Sequence, residues 1–275
     1  VNRLLFLGVG TIASAVHRAL PAWPAAGTTR GAPDERFASI QPLAATDAAA
    51  IRAAASGANV VVSCPPDGQI DRTWSGLVSD AASIAYLSST AVYADNAGLV
   101  TEASSVSANS ERAMLRLAAE QLWLAAGASV LRLPAFYGLG SGLHASIRRG
   151  TFRMPGDGGN IVSRVHEDDA ARFVLAALRA PRGSLLLAGD DEPAPVVDVV
   201  RFVCDLFELP LPASSQGEQV PLSLRASRRI DNRATKTAHS IQLAYPTYRD
   251  GYQAIRRSLE IIPGFIDKPN LPGHI

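Results

Sequence analysis

The first thirteen residues constrain the chain most. Leu4–Leu7 (LLFL) is an apolar run of strand length, and it leads straight into Gly8-Val9-Gly10-Thr11-Ile12-Ala13. Ile12–Leu20 then has helical spacing up to Pro21. A strand, a glycine turn and a helix in that order open a βαβ unit. In such a turn the first glycine bends the chain sharply, the second lets the backbone approach a pyrophosphate, and the third small residue lets helix and strand pack closely. The helix start adds unpaired N–H groups and a partial positive charge. Gly8, Gly10, Thr11, Ile12 and Ala13 are therefore expected to hold a dinucleotide.

The pattern repeats downstream. Ala25–Thr29, Asn59–Ser63 (NVVVS), Ser83–Leu87 (SIAYL) and Ser129–Leu133 (SVLRL) read as strands, with a helix at Ala48–Ala55. Alternating strands and helices predict an α/β fold with a doubly wound parallel sheet, right-handed crossovers and helices on both faces. After Pro134 the chain becomes rich in glycine. Helices are expected at Asp168–Arg179, Val196–Phe207 and Tyr248–Glu260, and one more strand at Ser184–Leu187. The expected division is a nucleotide-binding domain over 1–140, rejoined by the strand near 184–188, and a smaller, mainly substrate-binding lobe over 141–275.

Composition narrows the function classes. The 275 residues carry a net charge of +1, so no field of one sign points to nucleic acid or acidic lipid. Cys64 and Cys204 lie far apart without CxxC spacing, which argues against a disulfide framework or a metal site. No apolar run approaches the ~20 residues of a membrane span. A cytoplasmic protein with a small-molecule substrate is the expectation.

The end of the second strand bears on the cofactor. An NAD site usually places a carboxylate ~20 residues after the glycines. Here the strand ends Gly27-Thr28-Thr29-Arg30. A guanidinium suits a 2′-phosphate through fork-shaped hydrogen bonds, so NADP is expected ahead of NAD. Asp34 or Glu35 folding back is the alternative.

Five further stretches carry a family resemblance together with GVGTIA: SCPPDG at Ser63–Gly68, YLSSTAVYAD at Tyr86–Asp95, RLAAEQLW at Arg116–Trp123, LRLPAFYGLG at Leu131–Gly140 and RVHEDDAARF at Arg164–Phe173, all in one order and spacing. The chain resembles the extended short-chain dehydrogenase/reductases, in an atypical branch of the NAD-dependent epimerase/dehydratase-like proteins. The resemblance implies a Rossmann domain with a smaller C-terminal lobe. It places Thr29, Ser63, Cys64, Pro65, Ser88, Pro134 and Phe136 along the dinucleotide, and it allows a homodimer. It also implies catalysis by serine, tyrosine and lysine. The serine position falls on Ser89, but the tyrosine and lysine positions hold Arg112 and Arg116.

Arginine stays protonated, so Arg112 is no general base. Arg116 can still donate to ribose hydroxyls. The alternative is an exposed ladder in which Glu120, four residues on, pairs with Arg116; the other face, Leu115, Ala118, Leu122 and Ala125, has core spacing. Tyr93 is the candidate replacement acid. Tyr137, Arg148 and His166 are candidate substrate contacts, each with a structural alternative: a packed ring, a solvated helix face and a helix start. Two readings follow. One is an NADP-dependent oxidoreductase or epimerase acting on a small carbonyl or sugar-like substrate. The other is a non-catalytic NADP-binding redox sensor.

Overall fold

The structure, a computed structural model, describes residues 2–29, 37–94, 98–108, 110–215 and 226–261. The first half supplies β1 (Leu4–Leu7), β2 (Ala25–Thr29), β3 (Gln41–Ala44), β4 (Asn59–Val62), β5 (Ser83–Ser89), β6 (Gly98–Val100) and β7 (Ser129–Leu133). Between them run α1 (Thr11–Ala19), α2 (Ala48–Ala55), α3 (Gln69–Leu77) and α4 (Glu111–Ala125). The second half adds β8 (Ala135–Tyr137), β9 (Met154–Pro155), β10 (Ile161–Val162), β11 (Arg164–His166), β12 (Leu185–Leu187), β13 (Ala194–Pro195), β14 (Ser214–Ser215) and β15 (Arg228–Ile230). Its helices are α5 (Leu143–Arg148), α6 (Glu167–Arg179), α7 (Val196–Phe207), α8 (Arg233–Ala238) and α9 (Tyr248–Ile261).

Among the described residues, seven strands form one parallel sheet in the order β12-β7-β5-β4-β1-β2-β3. Residues alternate across it as strand geometry demands. Leu4, Phe6 and Val61 meet α1 and α6 on one face, while Leu5, Leu7, Val60 and Val62 meet α2, α3 and α4 on the other. With both faces covered, the central strands are near-continuous apolar runs, which is why LLFL and NVVV are legible as strands. A separate core, built on Tyr137, Phe152, Val199, Val203, Phe207 and Tyr252, holds α5, α7 and α9 together.

Strand order reverses beside β1, between β2 and β4. Open α/β sheets bind ligands at such a point, outside the carboxyl ends of the strands. Within the seven-stranded sheet and the helices that cover it, β3 and α3 lie outside the sequence expectation. Residue Pro42 sits in β3, and the strand tolerates it because β3 is the sheet edge.

The face of α4 departs from its apolar pattern. Its buried residues are Ala113, Ala119, Glu120 and Trp123. Leu115 is 40% exposed, and Ala118 and Ala125 are exposed as well. The expected core face is thus the outer one. Two polar anchors turn the helix: Glu120 pairs with Arg132 of β7, and Trp123 Nε1 donates to the buried Asp71 at 2.8 Å.

Candidate functional site

A cavity of about 1940 Å³ opens along the carboxyl ends of β1, β2, β4, β5 and β7 and continues into the second half of the chain. At its floor lies the glycine turn. Gly8 has φ +96°, and a Cβ there would stand 2.8 Å from the Cys64 backbone nitrogen. The turn is tied down by Gly8 N donating to Thr28 Oγ1 at 2.8 Å and by Ser63 Oγ donating to Gly8 O. Gly10 faces open space, with nothing within 4 Å of where a Cβ would be. The first turn of α1 has neither a side-chain cap nor an acidic residue. Its free N–H groups and partial positive charge are left for an anion.

Most of the residues expected along a dinucleotide line this cavity: Gly8, Gly10, Thr11, Ile12, Thr29, Ser63, Cys64, Pro65, Ser88, Arg116, Pro134 and Phe136. Ala13 does not; it is fully buried and packs α1 on the sheet. Arg30, Asp34 and Glu35 lie outside the described residues. Burial pushes the Cys64 thiol up to about 12, so it is inert as a nucleophile.

The expected catalytic residues separate. Ser89 and Arg112 line the cavity. Ser89 Oγ accepts from Ala91 N at 3.2 Å, which leaves its proton free to donate. Arg116 lines it too, with Nη1 on Leu87 O at 3.1 Å. Tyr93 is corrected: it is 0% exposed and is not among the lining residues. Its hydroxyl accepts from Arg132 Nη1 at 2.9 Å and donates to Thr101 O at 3.3 Å. Burial raises its pKa. The alternative Arg116–Glu120 pair is corrected as well. Glu120 is 4% exposed and accepts from Arg132 Nε at 3.0 Å, from Arg132 Nη2 at 2.7 Å and from Ser88 Oγ. The signal for this network stood in the sequence: Arg132 interrupts the otherwise apolar strand SVLRL, and a charge there demands a buried partner.

The substrate candidates also divide. Tyr137 lines the cavity, but its hydroxyl is enclosed, has no hydrogen-bond partner among the described residues and crowds the place where a Cβ on Gly251 would be. Arg148 does not line the cavity, whereas Arg149 and Arg153 do. His166 is corrected to a structural role. Its Nδ1 accepts from Asp168 N at 3.2 Å as the cap of α6, and its ring packs 4.2 Å from the Tyr245 ring. Burial holds it at about 4, hence neutral, as an accepting nitrogen requires. The acids that follow are structural too. Glu167 and Asp168 clasp Arg18 of α1, and Asp169 accepts from Ala244 N and Tyr245 N.

The cavity is cationic although the chain is nearly neutral. Among the described residues it is lined by Arg18, Arg112, Arg116, Arg149, Arg153, Arg164 and Arg228, against the carboxylates of Asp67 and Glu167. Sequence reasoning singled out neither Arg164 nor Arg228. No cluster of three or more metal-ligating side chains occurs among the described residues, and no helix there is long and apolar enough to cross a membrane.

No family model matches the chain. A curated relative, 3-diazoavenalumate denitrifying reductase from Streptomyces sp, is 27% identical over 136 residues, which span 44% of this chain and 45% of the relative, less than half its length. A functionally unknown conserved protein from Silicibacter pomeroyi superposes with a TM-score of 0.79 at 28% identity, covering 94% of this chain and all of that one. DesIV, a dTDP-glucose 4,6-dehydratase from Streptomyces venezuelae with NAD and TYD bound, superposes with a TM-score of 0.80 at 17% identity, covering 98% of this chain and 100% of that one. The chain has the doubly wound Rossmann-type α/β fold that these solved structures share.

Proposed function

We propose that this chain is a nicotinamide-dinucleotide-dependent oxidoreductase or epimerase whose substrate is an anionic, sugar-nucleotide-like molecule. The observation that supports this most is the cavity itself: about 1940 Å³, running past the uncapped start of α1, with seven arginines set against two carboxylates. A single small-ligand pocket is about 300–1,000 Å³, so there is room for a dinucleotide and a second anion. The relatives agree in kind, being a reductase and an NAD-bound sugar-nucleotide dehydratase. In this reading residues after 140 mainly form the substrate side.

The residues fit the cofactor. The extended Gly10 leaves the pyrophosphate its space, and the first N–H groups of α1 receive it. A Gly10→Val substitution is therefore expected to abolish dinucleotide binding while changing stability by less than about 0.5 kcal/mol. Gly8→Val is expected to cost about 1–3 kcal/mol through its positive φ. Calorimetry and urea denaturation on both variants check the contrast.

When bound, the nicotinamide supplies the hydride transfer. Arg116 keeps one nitrogen on Leu87 O and has donors left for ribose hydroxyls. Ser89 has its hydroxyl proton free for a substrate oxygen. Arg112, exposed at the cavity mouth, can stabilise negative charge developing on that oxygen but cannot take its proton. With Tyr93 held by Arg132, the proton comes from the substrate or from solvent. The same displacement of Tyr93 favours a second reading, a dinucleotide-binding protein without turnover, in which Ser89→Ala changes no activity. The exposed Met114 and Leu115 on α4 fit the homodimer that the resemblance implies.

Within this reading Arg30 selects NADP over NAD. Titration with NADPH, NADP, NADH and NAD is expected to give micromolar binding. The preference for the phosphorylated pair is expected to fall at least tenfold in Arg30→Ala. Equal affinities in the parent chain overturn the role of Arg30. No dinucleotide binding at all overturns both readings.

A further inference from the structure

The dinucleotide reading leaves Arg164 unused. It opens β11, it is 5% exposed, and it lines the cavity. Among the described residues its guanidinium makes no direct hydrogen bond or ion pair, and its Nη1 is enclosed without a partner. The guanidinium carbon stands 5.6 Å from the centre of the Tyr248 ring. Asp190 faces it electrostatically, yet Asp190 Oδ2 is likewise enclosed and unpartnered.

The other cavity arginines differ. Arg228 donates to Ala94 O at 2.8 Å and Tyr93 O at 3.0 Å, Arg153 to Gly150 O and Phe152 O, and Arg18 to its two carboxylates. Arg112 and Arg149 are exposed, so water serves them. Arg164 combines deep burial with unused donors. An unpaired buried donor group is costly, and a recurrent reason to keep one is a ligand that completes it. Its position fits that use. In the parallel β11–β8 pair, Arg164 lies opposite Ala135, and Pro134 and Ala135 line the same cavity. The guanidinium therefore stands one strand from the wall that the cofactor reading gives to the nicotinamide.

We propose that Arg164 anchors a carboxylate carried by the substrate, so that the molecule turned over in this cavity is an acid. This deepens, and rests on, the reading that a substrate lies beside a dinucleotide. A planar fork matches a planar carboxylate through two parallel hydrogen bonds. Phosphate is the poorer match. Its second charge would be enclosed next to Asp190, whereas a monoanion balances the guanidinium one to one.

The test is calorimetric titration of the full chain, saturated with NAD, using UDP-glucuronic acid, UDP-glucose, free glucuronate, free glucose and inorganic phosphate. The expected result is at least tenfold tighter binding of each acid than of its neutral counterpart. Arg164→Gln should erase that preference and leave NAD affinity within twofold. Arg164→Lys, which keeps the charge but loses the fork, should retain part of it and serves where the glutamine variant does not fold. Equal affinity for acid and neutral sugars in the parent chain overturns the proposal, as does a preference that survives in Arg164→Gln, or tighter binding of inorganic phosphate than of glucuronate. If the UDP-sugars fail to bind while free glucuronate binds through Arg164, the sugar-nucleotide reading falls and the carboxylate anchor stands.

Discussion

Glu120→Ala is expected to destabilise the chain by about 3–5 kcal/mol. For a chain of this size that is a fall in Tm of roughly 10 °C. Glu120 is the hub of a buried network: both its oxygens accept from Arg132, and Ser88 Oγ donates to it. Arg132 in turn holds the Tyr93 hydroxyl and stands 5.0 Å from the centre of that ring. Removing the carboxylate leaves an enclosed guanidinium without its counter-charge, and that penalty, rather than the strength of the pair itself, sets the size of the effect. The double variant Glu120→Leu with Arg132→Met is therefore expected to recover most of the loss, since two apolar groups leave no charge to compensate. Urea denaturation of the two single variants and the double decides it. A loss below about 1 kcal/mol in Glu120→Ala would show that water reaches Arg132. The network also underlies the site, because Ser88 precedes Ser89 at the cavity edge. Tyr93→Phe is the control: it removes two hydrogen bonds, each worth about 1 kcal/mol, and no cavity contact.

Arg132 inside an apolar strand announces a buried partner, but which residue that partner is marks the limit of what the sequence discloses. The strand LLFL, the glycine turn and the helix after it are legible because their physics is local: apolar period, turn geometry and helix start all lie within about twenty residues. The return of Leu185–Leu187 to the sheet beside β7 is equally visible as an apolar run of strand length. Glu120 is different. By periodicity it belongs to a charged outer face, and only Arg132 of β7, brought across by the sheet, makes it a core residue. The same inversion exposes Leu115. α3 was hidden by its polar start, where Asp71 lies in the interior because Trp123 needs an acceptor. The RVHEDD stretch read as a candidate substrate contact at His166, whereas its histidine and acids hold a helix start, α1 and the loop at 244–245. The residue of that stretch that reaches the cavity is Arg164. An arginine in a short strand carries no sequence mark of its burial or of its missing partner.

Asp190 is the second place where burial decides the chemistry, and it predicts a pH dependence of unusual sign. The residue is 1% exposed. Burial pushes its carboxyl up to about 8, against the opposing pull of Arg164 and of the Glu192 N–H that Oδ1 accepts at 3.3 Å. Asp191 and Glu192 add repulsion, and the nearby Tyr137 and Tyr252 hydroxyls bring no compensating charge. In the unfolded chain the group titrates near ~3.9. Between about pH 4 and 8 the folded state thus binds the proton more tightly than the unfolded state. This contribution is fully present below about pH 4 and is lost as pH rises through about 8, at up to ~1.4 kcal/mol per pH unit. Asp190→Asn mimics the protonated form at every pH. Its stability relative to the parent chain is expected to increase from pH 5 to pH 9 by several kcal/mol, on the order of 3–5, in urea denaturation at pH 5, 7 and 9. If Asp190 were instead an ordinary carboxylate held by Arg164, the same variant would lose stability, and most of all at pH 9. The two outcomes have opposite signs. A raised Asp190 pKa is in keeping with the proposal that Arg164 receives an anionic group of the substrate.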